Sequence, residues 1–180
     1  ENKSSYFRAD AAHTGVYKTQ GINRLKGIKW KYKTNGRVFS SPVISRDILY
    51  IGSNDSVFYA FNSRNGKLLW KYKTGGRISS SAAVYRDKVY FLSFDGFLYC
   101  LDRKKGKEIW KFKTSGEKVF AAAGIHGMPE KDKLLEDPWD MFLSSPVVAN
   151  NKVFFGCGDG ILYALQCNTG KEIWSFTTLG

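Results

Sequence analysis

One phrase occurs four times in this chain, and its spacing constrains the fold more than any other feature. It reads GKLLWKYKT at residues 66–74, GKEIWKFKT at 106–114 and GKEIWSFTT at 170–178, with a shortened form, GIKWKYKT, at 27–34. Trp30, Trp70 and Trp110 stand 40 residues apart, and Trp174 follows Trp110 by 64, which is 40 plus 24. The same offsets relate Asp55, Asp95 and Asp159, Tyr59, Tyr99 and Tyr163, Gly66, Gly106 and Gly170, and the serine pairs 40–41, 80–81 and 144–145. So many coincident landmarks require an internal repeat of about 40 residues. The extra 24 residues fall between Gly116 and Ser144, in EKVFAAAGIHGMPEKDKLLEDPWDMFL.

Each repeat resolves into four short runs rich in β-branched and aromatic residues, broken by Asn, Asp, Gly and Ser. In the first repeat the runs are residues 38–44, 48–52, 57–61 and 67–73. Asp95-Gly96 and Asp159-Gly160 suit tight hairpin turns, where glycine accepts a positive φ. Four antiparallel strands in about 40 residues make one blade of a β-propeller. The recurring phrase is then the outermost strand. Trp70 and Tyr72 alternate with Lys71 and Lys73, so the aromatics wedge against the next blade while the lysines meet water and discourage edge pairing.

The expected architecture is all-β, with full blades at about 38–74, 78–114 and 143–178. A lead-in segment occupies residues 1–28, an unmatched outer strand residues 29–34, and an inserted loop about 117–143. Propellers close with 4–8 blades. Three blades plus one unmatched strand therefore predict an incomplete ring, belonging to a longer protein or closed by further chains.

Composition narrows the function classes. The chain is 43% hydrophobic and 16% aromatic, which suits a packed core and excludes a disordered chain. The net charge is +12 and the protein is basic, but the positive residues are spread throughout and the lysines of the outer strands have a structural role, so no nucleic-acid partner is expected. No apolar run is long enough for a transmembrane helix. Three cysteines, at 100, 157 and 167, show no CxxC spacing, and no metal site is expected. The turns between first and second strands and between third and fourth share one end of the propeller. They hold Arg46, Arg64, Arg86, Lys88, Arg103, Lys104, Lys105 and Lys152, which predicts a positive end opposite a more acidic one carrying the aspartate turns and the insertion.

The pattern Ala60-x-Asn62-x-x-x-Gly66-x-x-x-Trp70, repeated as Cys100/Asp102/Gly106/Trp110 and Ala164/Gln166/Gly170/Trp174, resembles the tryptophan-docking motif of pyrroloquinoline-quinone-like β-propellers. The SSPV and YIGSND…YAF segments and the opening YFRADAAHTG are similar to the same family, which includes an outer-membrane assembly lipoprotein and quinoprotein dehydrogenases. The resemblance implies Trp30, Trp70, Trp110, Trp174, Gly66, Gly106 and Gly170 as structural repeat residues, and a periplasmic or otherwise extracytoplasmic location. No cofactor is expected, and pyrroloquinoline quinone enters only as what the family resemblance allows. The adjacent cysteine pair usual in such dehydrogenases is absent, and Asp55, Asp95 and Asp159 read as turn residues, so no catalytic residue is assigned. Gln166 and Ser56 depart from the repeat, at positions held elsewhere by an acidic residue and by glycine.

The expected function is a non-enzymatic scaffold that binds a protein partner or ligand. The alternative is a fragment of a quinone- or metal-dependent oxidoreductase. The insertion is the one non-repeating feature, and long loops on rigid scaffolds carry function. Its residues 130–136, EKDKLLE, are helix-prone, and the loop is expected to lean over the mouth of the central channel. His126, Asp137, Trp139 and Asp140 are the candidates for ligand or partner contact.

Overall fold

The computed structural model describes residues 15–16, 24, 27–116, 119–121, 134–136 and 144–178. Three four-stranded antiparallel sheets stand in chain order, each a simple meander, and among the described residues they do not close into a ring. The first blade comprises β1 (Val43–Ser45), β2 (Ile48–Ser53), β3 (Val57–Asn62) and β4 (Leu68–Lys73). The second comprises β5 (Ala83–Tyr85), β6 (Lys88–Ser93), β7 (Phe97–Asp102) and β8 (Glu108–Lys113). In the insertion, β9 (Val119–Ala121) pairs antiparallel with β10 (Leu134–Glu136). The third blade comprises β11 (Val147–Ala149), β12 (Lys152–Gly156), β13 (Ile161–Gln166) and β14 (Glu172–Thr177).

Three expectations need correction. The innermost strands are shorter than the apolar runs that announce them: in the first blade the Ser41 N–H goes to Ser81 Oγ of the next blade instead of to β2, and Pro42 has no N–H to give a ladder. The helix-prone stretch at 130–136 ends in β10 instead, since pairing with β9 supplies its backbone partners. Residues 29–34 form no strand among the described residues, although Trp30 and Tyr32 still pack on the first blade; no inner strand lies beside them to complete a ladder.

The core lies between blades, not within them, because a four-stranded sheet has two faces and each must be covered by a neighbour. One cluster joins blades one and two through Tyr50, Phe58, Val89, Phe91 and Leu101. A second joins blades two and three through Tyr90, Leu98, Val153, Phe155 and Leu165. The Phe58 and Phe91 rings stack with centroids 3.9 Å apart.

Candidate partner-binding surfaces

The joint between successive blades has four recurring parts, and together they decide which side chains remain for other work. The first is the tryptophan. Trp30 Nε1 donates to the Ser63 carbonyl at 3.0 Å, Trp70 Nε1 to Arg103 at 3.1 Å, and Trp110 Nε1 to Cys167 at 3.1 Å. Each indole lies flat on a glycine of the next blade. A Cβ on Gly66, Gly106 or Gly170 would fall 2.5–2.6 Å from the ring of Trp30, Trp70 or Trp110. These glycines also hold φ near +70°, the left-handed conformation that closes the turn into the outer strand.

The second part is an aspartate clamp. Asp55 Oδ2 accepts the Asn35 N–H and the Tyr59 hydroxyl, Asp95 Oδ2 the Gly75 N–H and the Tyr99 hydroxyl, and Asp159 Oδ2 the Ser115 N–H and the Tyr163 hydroxyl. Each carboxylate therefore ties its hairpin to the chain leaving the preceding outer strand. Burial pushes the Asp55 carboxyl up, but hydrogen bonds from Tyr59, Asn35, Ser53 and Val57 outweigh it and hold the group below its ordinary range. The Tyr163 hydroxyl is pushed up to about 12, by burial first and then by its bond to Asp159.

The third part is a ladder of serines. Ser40 and Ser80 bridge to β2 and β6 within their own blades, through Gly52 and Leu92. The second serine of each pair crosses the joint: the Ser41 N–H donates to Ser81 Oγ at 2.9 Å, and the Ser81 N–H to Ser145 Oγ at 3.1 Å. The fourth part is a tyrosine. The Tyr50 hydroxyl donates to the Arg103 carbonyl and the Tyr90 hydroxyl to the Cys167 carbonyl, and burial pushes Tyr50 up to about 12.

Among the described residues, these joints engage most of the recurring polar side chains. Among the described residues, no group of three His, Cys, Asp or Glu side chains is placed to hold a metal ion. Cys100 and Cys167 are buried, and burial raises both thiols, so neither is poised as a nucleophile. Asp55, Asp95 and Asp159, the recurring carboxylates of the blades, are engaged in the joints.

What remains is surface. His126, Asp137, Trp139 and Asp140 lie outside the described residues. At the outer face of the third blade, Leu162, Trp174 and Phe176 are exposed. On the free face of the first blade, a groove of about 190 Å³ runs between Trp30 and Tyr32 on one side and Val38, Pro42, Leu49 and Ile51 on the other. The end formed by the first–second and third–fourth strand turns exposes Arg46, Arg64, Arg86, Lys104 and Lys105. Two residues expected there behave otherwise: the Arg103 side chain is buried, and Lys88 is half-buried against Asp87. At the opposite end Lys33, Lys73 and Lys113 stand beside the aspartate turns, so the described residues do not give that end the acidic character expected of it. The aspartate clamp went unread in the sequence, although the Asp-x-x-x-Tyr spacing was its visible signal.

The family model described as outer membrane protein assembly factor BamB matches residues 24–123. BamB from Moraxella catarrhalis has a similar structure, with a TM-score of 0.64 at 19% identity over 86% of this chain and 41% of that one. The quinohemoprotein alcohol dehydrogenase ADHIIG from Pseudomonas putida HK5 gives 0.60 at 24% identity, over 82% of this chain and 21% of that one. The computationally designed protein Ika4 gives 0.60 at 14% identity, over 88% and 79%. The chain thus spans about two fifths of the BamB structure and about a fifth of the dehydrogenase. No curated protein matches it by sequence. Interblade tryptophans, meandering four-stranded sheets and a family match over more than half the chain lead to one assignment: the chain belongs to the BamB-like family of pyrroloquinoline-quinone-like β-propeller repeat proteins.

Proposed function

We propose that this chain is part of a non-enzymatic propeller scaffold that binds a protein partner outside the cytoplasm. The observation that carries the reading is the commitment of the repeated Asp, Tyr, Ser and Trp polar groups to the joints between blades, which among the described residues leaves binding surface but no assembled catalytic set. The extracytoplasmic location rests on family resemblance: the matching model is described as an outer-membrane assembly factor. No helix among the described residues is long and apolar enough to cross a membrane.

The insertion is one proposed contact region. It follows β8, which ends at Lys113 opposite Phe97 beside the aspartate turn, and His126, Asp137, Trp139 and Asp140, which lie outside the described residues, are its candidate contacts. The competing reading, a fragment of a quinone-dependent oxidoreductase, draws on the quinohemoprotein dehydrogenases among the similar structures. Titration with pyrroloquinoline quinone and calcium separates the two. The scaffold reading expects no bound-quinone absorbance and no dye-linked alcohol oxidation. A saturable spectrum with turnover would establish the oxidoreductase instead.

A further inference from the structure

The basic end of the propeller arc carries more charge than its turns need. In blades one and two the exposed turn residues include Arg46, Arg64, Arg86, Lys104 and Lys105. At the corresponding places in blade three stand Asn150, Asn168 and Thr169: residue 150 answers to 46 and 86, 168 to 64 and 104, and 169 to 105. The same turns close in all three blades, so the cations are not a condition of folding.

Two of them sit where a long side chain is disfavoured. Arg46 has φ of 47° and Arg86 of 55°, in the left-handed region that asparagine tolerates best, as Asn150 does at 48°. Arginine at such a position is strained relative to asparagine, and retained strain points to function. Behind the same end lies Arg103, 3% exposed, whose Nη1 has no hydrogen-bond partner. A buried guanidinium with spare donor capacity adds to the positive potential there. The nearby acids offset part of it. Arg64 donates two hydrogen bonds to Asp47 in a solvent-exposed pair that an incoming carboxylate would have to replace, Asp87 pairs with Lys88, and Asp102 accepts the backbone N–H groups of Lys104 and Lys105.

The turn tips also narrow the partner. The aromatic ring beside them, Tyr85, already lies under the Arg86 guanidinium, 5.1 Å from its centroid, and offers no open platform on which nucleobases could stack. The tips carry no apolar side chains that would enter a lipid interface. Forked guanidiniums and lysines on short rigid turns match carboxylates held at intervals along a chain. We propose that the end of blades one and two formed by these turns binds an acidic protein segment, with Arg46, Arg64, Arg86 and Lys104 as its principal contacts. This rests on the scaffold reading and names the chemistry of its partner.

The test uses the whole chain and a fluorescein-labelled poly-glutamate peptide, followed by anisotropy at several salt concentrations. Replacing the four contacts with the third blade's residue, R46N/R64N/R86N/K104N, should weaken binding by at least about tenfold without lowering Tm. A charge-matched variant on the outer strands, K71S/K73T/K111S/K113T, again uses the third blade's residues and should bind within about twofold of the parent. Equal losses in both variants would reduce the effect to net charge and overturn the proposal, as would no measurable affinity in the parent. Tighter binding to phosphatidylglycerol vesicles or to single-stranded DNA than to the peptide would overturn the partner class. None of these outcomes touches the scaffold reading, which fails on the quinone titration alone.

Discussion

The outer strands of the second and third blades, EIWKFK at β8 and EIWSFT at β14, share Glu, Ile, Trp and Phe at matching positions and live in different surroundings. Trp110 and Phe112 pack against the third blade, where Phe112 meets the Phe155 and Tyr163 rings edge-on. Trp174 and Phe176 are 40% and 63% exposed. One strand inward the contrast repeats, with Leu98 fully buried and Leu162 38% exposed. The local sequence has already chosen which face of each strand is apolar. Whether that face is core or surface depends on a neighbouring blade up to 64 residues away. In a repeat architecture, stability is a sum of intrinsic blade terms and nearest-neighbour terms, and this pair of strands separates the two.

The comparison can be broken most forcefully at the leucines. Leu98→Ala removes buried methyl groups from the joint of blades two and three and should cost about 2–5 kcal/mol by denaturant unfolding. Leu162→Ala, the same change at the same blade position, should cost less than about 1 kcal/mol. Comparable losses at both sites would mean that the face of blade three is covered in solution. A change on the receiving side of a joint should act next most strongly. Gly106→Ala places a methyl group about 2.5 Å from the Trp70 indole at a φ of +67°, combining overpacking with left-handed strain, for an expected loss of about 2–4 kcal/mol.

A smaller, pH-dependent effect sharpens the role of the clamps. The folded-state value of Asp55 is depressed, so its contribution is present above the unfolded carboxylate value of about 4 and is lost as pH falls through the depressed folded value. Unfolding followed from neutral pH into that acid range should show the loss in the parent. Asp55→Asn should flatten that part of the profile, and an unchanged profile would remove the clamp from the account of the joints.

The blades were readable because their periodic landmarks are side chains: Trp, Gly, Asp, Tyr and the serine pairs recur at fixed offsets, and hairpin chemistry fixes the strands between them. The joints were less readable because half of each contact is backbone. Asp55, Asp95 and Asp159 find N–H groups on Asn35, Gly75 and Ser115, three residue types with nothing in common to advertise the bond. The serine ladder likewise pairs a hydroxyl with an N–H across 40 and 64 residues. Ser56 looked like repeat drift, yet it takes a φ of 63° where Gly96 and Gly160 take 80° and 77°. Arg103 belongs by sequence with the surface cations of its turn but folds inward beside Tyr50, a choice set by the space between two blades. For the insertion, β-pairing of residues 134–136 with 119–121 overrode the helical preference of EKDKLLE, because a ladder partner outweighs local propensity.

The central claim is that a neighbouring blade, not the strand's own sequence, converts the apolar face into core. It is tested most directly by unfolding Trp110→Ala and Trp174→Ala side by side. Trp110 gives up its bond to the Cys167 carbonyl and its seat on Gly170, and the expected cost is about 3–5 kcal/mol. Trp174 has neither contact among the described residues and should cost under about 1 kcal/mol. Equal destabilisation by the two substitutions would contradict the account.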